Sequence, residues 1–310
     1  MPALTRALFR GLFDDAAVFP PGKAPLDLAV ASHRRLRRGP WSDLIGPLLL
    51  PPQAIPAALD LAGLADLRDA ENPPVHDGEL DEGDAPSTPA LDVGIAARPG
   101  TAPAQVERAA HLAADDSRVD LRLVELGWQE RWEHIQLPAP AVVVEVPRGT
   151  EQALAVTEIA VAAAEREHPA YLAKYRTGAT ETWAWPSERE LARTIQAAVA
   201  MDVPLKLTGG LHHAVRCDTP DAGPMHGVLN VLATFAQARA GQPVSALATT
   251  LAEREPATLI AALAALSPQS VERLRADFPS YGCCTVTEPI GELVALGVLT
   301  DPAALEGDSL

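Results

Sequence analysis

Short, nearly uninterrupted apolar runs alternate along this chain with longer segments whose apolar residues recur every three or four positions. Runs at residues 16–19, 44–50, 91–97, 121–126, 141–146, 171–176, 204–208 and 281–286 have strand length and are apolar on both faces, as strands covered on both sides are. Between most of them the period becomes helical: residues 27–38, 51–70, 102–114, an alanine-rich stretch ending near residue 167, 187–201, a segment starting near His226, 244–276 and 289–299. Residues 4–13 are amphipathic and predict one more short helix. Eight such units in about 300 residues are the arithmetic of a (β/α)8 barrel. The pattern therefore predicts an α/β protein, a single (β/α)8 TIM-type barrel domain over residues 1–310. The first strand and the connection at residues 127–140, short for a helix, fit least well. A doubly wound open sheet is the alternative, and the chain has neither of the glycine-rich nucleotide signatures that would favour it.

Residues 71–90 interrupt the alternation. They are acidic, proline-rich and almost free of large apolar groups, so they predict a mobile loop, with the barrel pattern resuming unchanged after it. Apolar residues make up 47% of the 310, enough for a large core, while the net charge of −16 argues against nucleic acid or an anionic membrane as the partner. The three cysteines, Cys217, Cys283 and Cys284, are odd in number and two are adjacent, which is not a disulfide framework. The N-terminus lacks an apolar signal core, and no run reaches the length of a membrane span. The expectation is a cytoplasmic protein working on a small molecule; a homo-oligomer is compatible with the sequence, and no cofactor motif is present.

Charge placed late in apolar strands changes the picture. Barrel enzymes keep their reacting groups at the C-terminal ends of strands, and residues two apart share a face. This singles out Glu125, Glu145, Lys174, Arg176, Lys206 and Thr208. Any one of them could be an ordinary strand-end charge. Two buried lysines are harder to explain that way, because burying an ammonium is costly unless it is paired or used. Both lysines run into glycine turns: Lys174-Tyr-Arg-Thr-Gly178 and Lys206-Leu-Thr-Gly-Gly210.

These two motifs resemble the class I (Schiff-base) aldolases of the deoxyribose-phosphate aldolase type, over some forty residues. The resemblance implies that Lys174 forms a Schiff base with a carbonyl substrate, that Lys206 lowers its pKa, and that Gly209 and Gly210 help bind an anion. Glu125 or Glu145 would then move protons. Arg176, two residues after Lys174, and the His212-His213 turn depart from that family's pattern.

Other groups extend the candidate set. Arg176, Thr208, Gly209, Gly210, His212, His213 and Asp15 are expected to bind an anionic substrate, with Asp15 preferred over Asp14. His212, His213 and His226 with a carboxylate suggest a second reading, a metal-dependent hydrolase or isomerase, although no established metal-ligand spacing is present. Cys283 and Cys284 read as small core residues. Trp128, Trp132, Trp183 and Trp185 fall in the loops after the fourth and sixth strands, where they could wall a pocket. A third reading is a barrel without catalysis that binds a ligand or a partner. The balance favours a lyase or aldolase acting through Lys174 on a small anionic carbonyl compound.

Overall fold

A largely apolar strand followed by a helix that turns its apolar stripe toward the barrel is the repeating unit here. In β5 (Ala141–Glu145) three valines precede a carboxylate, and in α4 (Gln152–Glu165) Ala155, Val156 and Ile159 turn inward. Helix α5 (Glu188–Ala200) starts where Ser187 and Glu190 form a capping box, which fixes its first turn, and buries Leu191, Ile195, Ala198 and Val199. The computed structural model describes residues 4–71, 89–166, 168–180, 183–219 and 223–300.

The remaining strands are β1 (Phe13–Asp15), β2 (Ile45–Leu50), β3 (Leu91–Ala96), β4 (Val119–Gly127), β6 (Ala170–Arg176), β7 (Leu205–Thr208) and β10 (Tyr281–Cys283). With β5 they close into a barrel of order β1-β10-β7-β6-β5-β4-β3-β2. Every neighbouring pair is parallel. The other helices are α1 (Leu26–Arg38), α2 (Ile55–Glu71), α3 (Pro103–Ala114), α6 (Val228–Arg239), α7 (Val244–Ala252), α8 (Pro256–Ala264), α9 (Pro268–Asp277) and α10 (Thr287–Ala295). This is the expected (β/α)8 architecture. Among the described residues, no helix is long and apolar enough to cross a membrane.

The elements differ from expectation at several points. The first strand is Phe13–Asp15 rather than residues 16–19. The apolar run after it forms a turn instead: the Ala17 amide is held by Asp15 Oδ1 at 3.1 Å, and Pro20 and Pro21 have no N–H to offer a ladder. Residues 4–13 yield only a 3-10 turn at Arg6–Leu8. The link from β4 to β5 holds a 3-10 turn, Trp132–His134, whose buried Trp132 meets the Tyr171 ring edge-on at 5.5 Å. Residues 244–276 break into α7, α8 and α9, the last two each beginning at a proline in the first helical turn. The loop after β7 carries an unexpected hairpin, β8 (Cys217–Thr219) with β9 (Gly223–Met225). The expected mobile loop at residues 71–90 falls almost wholly outside the described residues.

Two ties fix the loop after β7, which borders the barrel mouth. Glu292 of α10 accepts from the Ala214 amide and pairs with His213 Nδ1, both at 2.7 Å. Asn230 of α6 accepts from the Arg216 amide at 2.8 Å and donates to the carbonyls of Thr250 and Glu253 at 2.9 and 2.7 Å. Asn230→Ala strands three backbone groups and is expected to lower the unfolding free energy by about 2–3 kcal/mol in urea titrations; an unchanged midpoint would show that this tie is unimportant.

Candidate active site

The strand register brings the charged residues together. Gly127 of β4 lies opposite Glu145, Glu145 opposite Lys174, and Lys174 opposite Lys206, so Glu145, Lys174 and Lys206 stand in one layer at the C-terminal end of the barrel. Glu125, two residues before Gly127, sits one layer deeper on the same face. Asp14 joins from β1, whose residue 14 is opposite Gly282 of β10.

The side chains form one continuous ionic chain. Ser280 Oγ donates to Asp14 Oδ2 at 2.8 Å. Asp14 contacts the Lys206 ammonium, and Lys206 Nζ lies 2.6 Å from Glu125 Oε1. The other oxygen of Glu125 accepts from Lys174 Nζ at 2.8 Å, and Lys174 also meets Glu145 Oε2 at 2.8 Å. Arg176 closes the series, with Nε and one terminal nitrogen at 2.9 and 3.2 Å from the two Glu145 oxygens. Asp14, Glu125, Glu145, Lys174 and Lys206 are all buried, while the Arg176 side chain keeps 35% of its surface exposed. Three carboxylates thus alternate with three cations, and the solvent-facing end is positive.

This arrangement makes the burial tolerable. An isolated buried ion is strongly disfavoured, but every interior member here has an opposite charge on either side. Burial alone would push Glu125 up, yet Lys174 and Lys206 outweigh it and hold the carboxyl at about 2. Glu145 is likewise held below its usual range, against its own burial, by Lys174 and Arg176. Burial would lower Lys174, but Glu125 and Glu145 push it up; by the same balance Asp14 and Glu125 push Lys206 up to about 12. Asp14 is pushed up, because burial exceeds the pull of Lys206 and Ser280.

Glycines make room for this packing. A Cβ at Gly46 of β2 would stand 1.9 Å from Asp14 Oδ1, so only glycine leaves space for that carboxylate. Beside the charges lies an apolar cluster of Ala16, Leu49 and Ala96, against which Phe19 and Leu123 pack.

The two lysine motifs meet again in their turns. Thr177 donates through both its amide and its hydroxyl to Thr208 O, at 2.8 and 3.2 Å, and its hydroxyl also reaches Gly209 O. A Cβ on Gly178 would stand 3.4 Å from the Gly209 backbone, so the two turns pass close to each other. Gly209 and Gly210 have φ of +75° and +80°, and the Trp185 ring covers Gly210 so closely that a Cβ there would overlap it. The repeated Thr-Gly thus has a local structural role, locking the β6 and β7 turns to each other. Thr208 lies opposite Gly282, with its hydroxyl toward that glycine.

The other expected residues are dispersed. Asp15 points away from the ionic chain: its carboxylate pairs with buried His33 Nδ1 at 3.1 Å and caps Ala17, so the carboxylate that β1 contributes to the chain is Asp14. His212 turns to Glu288 at 3.1 Å and His213 to Glu292 at 2.7 Å, while buried His226 meets the Pro186 carbonyl at 3.2 Å. Among the described residues, no three His, Cys, Asp or Glu side chains are grouped to hold a metal. Trp128 donates to Glu158 at 2.8 Å, Trp132 is core, and Trp183 stacks under Arg148 at 5.2 Å. Ser280, outside the expected set, carries no sequence signal beyond its place just before β10. The resemblance implies that Lys206 lowers the pKa of Lys174, but a carboxylate bridges the two instead. Glu125 stands between the lysines, and Lys174 is held more basic than usual.

Glu125→Gln leaves two buried ammonium groups short of charge and is expected to cost about 3–5 kcal/mol in chemical denaturation. The pH dependence has a definite sign. A carboxyl lowered from 4.5 to about 2 stabilises the fold fully above 4.5, and that contribution fades as pH falls toward 2. The native protein should lose stability through this window and the glutamine variant should lose less; parallel curves would contradict the bridging role.

No protein-family model, no curated protein and no solved structure matches the chain.

Proposed function

We propose that the chain is a barrel enzyme of the lyase or aldolase type. In this reading its substrate is a small carbonyl compound bearing an anionic group, and Lys174 is the Schiff-base nucleophile. The observation that carries the proposal is the Lys174 ammonium buried at the barrel mouth, 2.8 Å from each of two carboxylates. A Schiff base requires a neutral amine, and this lysine has two proton acceptors in direct contact. The resemblance of its motif to the aldolases supports the same reading.

The resting site holds the proton on Lys174, so substrate must shift the balance. Arg176 is the exposed cation and the natural anchor for an anionic group. An anion bound there competes with Glu145 for the guanidinium. Glu145, losing countercharge, becomes a better base and takes the Lys174 proton. The neutral nitrogen adds to the carbonyl carbon, the carbinolamine loses water, and the resulting iminium withdraws electrons from the adjacent carbon–carbon bond. Glu125 keeps Lys206 paired throughout and stays ionised between the two lysines. The apolar cluster around Leu49 includes Leu123, two residues before Glu125 on β4.

Borohydride reduction in the presence of glyoxylate is expected to leave a covalent adduct on Lys174, found by peptide mass spectrometry. The yield should rise from pH 7 to pH 9, because the amine is held protonated. Lys174→Met should abolish the adduct. Arg176→Met should weaken trapping by glyoxylate about tenfold relative to trapping by neutral glycolaldehyde. Absence of an adduct at Lys174, or equal adducts on surface lysines, would remove the proposal.

A further inference from the structure

A second group of chemically competent side chains lies at the same end of the barrel and uses no member of the ionic chain. Cys284 follows β10 directly, His212 lies in the loop after β7, and Glu288 is in the first turn of α10. The Cys284 sulfur is 3.6 Å from His212 Nε2 and 4.0 Å from Nδ1. His212 Nδ1 is 3.1 Å from Glu288 Oε2, so the carboxylate holds the Nδ1 proton and turns Nε2 toward sulfur. The Thr285 hydroxyl is 3.8 Å from the same sulfur. The loop after β1 closes over the residue: a Cβ on Gly22 would be 3.2 Å from that of Cys284.

The three cysteines are not equivalent. Burial pushes the Cys283 and Cys217 thiols up. Burial would raise Cys284 as well, but the hydrogen bond and charge of His212, with Thr285 and the Gly22 backbone, bring it below its usual value. His212 is correspondingly pushed up to about 11 by the sulfurs of Cys283 and Cys284. Cys284 is half-buried rather than sealed in the core, and the His212 side chain keeps 14% of its surface. A polarised sulfur, a proton-carrying imidazole and a carboxylate that orients the ring are the three parts of an acyl-transfer nucleophile.

We propose that Cys284, His212 and Glu288 form a second nucleophilic site that accepts the acyl group of a small ester or thioester. The sulfur attacks the acyl carbon, an S–C bond forms, and the bond from that carbon to the leaving oxygen or sulfur breaks. The leaving group departs with the Nε2 proton of His212. Water, deprotonated by the same nitrogen, then releases the carboxylic acid and restores the thiol. The acyl class is favoured over a peroxide because the imidazole stands beside the sulfur, where a leaving heteroatom needs a proton.

The test uses p-nitrophenyl acetate on the full chain. The expected result is a burst of one nitrophenolate per chain, with the acetyl group mapped to Cys284 by peptide mass spectrometry and lost in Cys284→Ser. His212→Gln should slow the burst by about tenfold or more. Since that variant could disturb the β7 loop, Glu288→Gln supplies an independent readout. It keeps the ring but weakens the ion pair, and should move the pH profile of acylation to higher pH; a purely structural glutamate would leave that profile in place. Acetylation at Cys217 or lysines, or an unshifted profile in Glu288→Gln, would overturn the assignment.

Discussion

Glu125 is the residue on which the barrel interior depends. It is buried, and each of its oxygens faces a different lysine, Lys174 at 2.8 Å and Lys206 at 2.6 Å. Without it, two ammonium groups from adjacent strands would face each other in a medium that screens them poorly. With it, the interior of the mouth becomes a series of alternating charges running from Ser280 and Asp14 to Arg176. Glycine at position 46 follows from the same constraint, since the Asp14 carboxylate fills the space a side chain would need.

That series also explains why the site is asymmetric. Its deep end is neutralised and closed by Ser280 and Asp14, and its outer end is a partly exposed guanidinium. A chain built only for stability would gain little from six buried or half-buried charges, because apolar residues of similar size often serve as well. The proposed transfer of a proton from Lys174 to a neighbouring carboxylate, when an anion engages Arg176, would give the charges a use. The interlocked Thr177 and Gly209 turns hold the ends of β6 and β7 together, and so hold the two lysines in register.

Much of this was legible in the sequence, and the limits are physical. The eight-strand pattern and the placement of Glu125, Glu145, Lys174, Arg176 and Lys206 at strand ends came from apolar runs ending in charge, which a barrel enforces. Asp14 was harder. Pattern alone put the first strand at residues 16–19, but Pro20 and Pro21 cannot join a ladder, and moving the strand to Phe13–Asp15 exchanges the roles of the two aspartates. The bridging position of Glu125 depends on register between strands distant in sequence, which no local pattern encodes. The same holds for Cys284: its pairing with His212 and Glu288 joins residues 72 and 4 positions away, and the adjacent cysteines read as core until the loops are placed.

The central claim is that Glu125 and Glu145 hold Lys174 as an ammonium at rest and surrender that state only to substrate. Heteronuclear NMR of the lysine side-chain nitrogens, titrated with and without glyoxylate, tests it most directly. The predicted result is a Lys174 that stays protonated beyond the ordinary 10.5 in the free protein and loses its ammonium signal when glyoxylate binds. A Lys174 that titrates near neutral pH in the free protein, or stays an ammonium with glyoxylate bound, would contradict it.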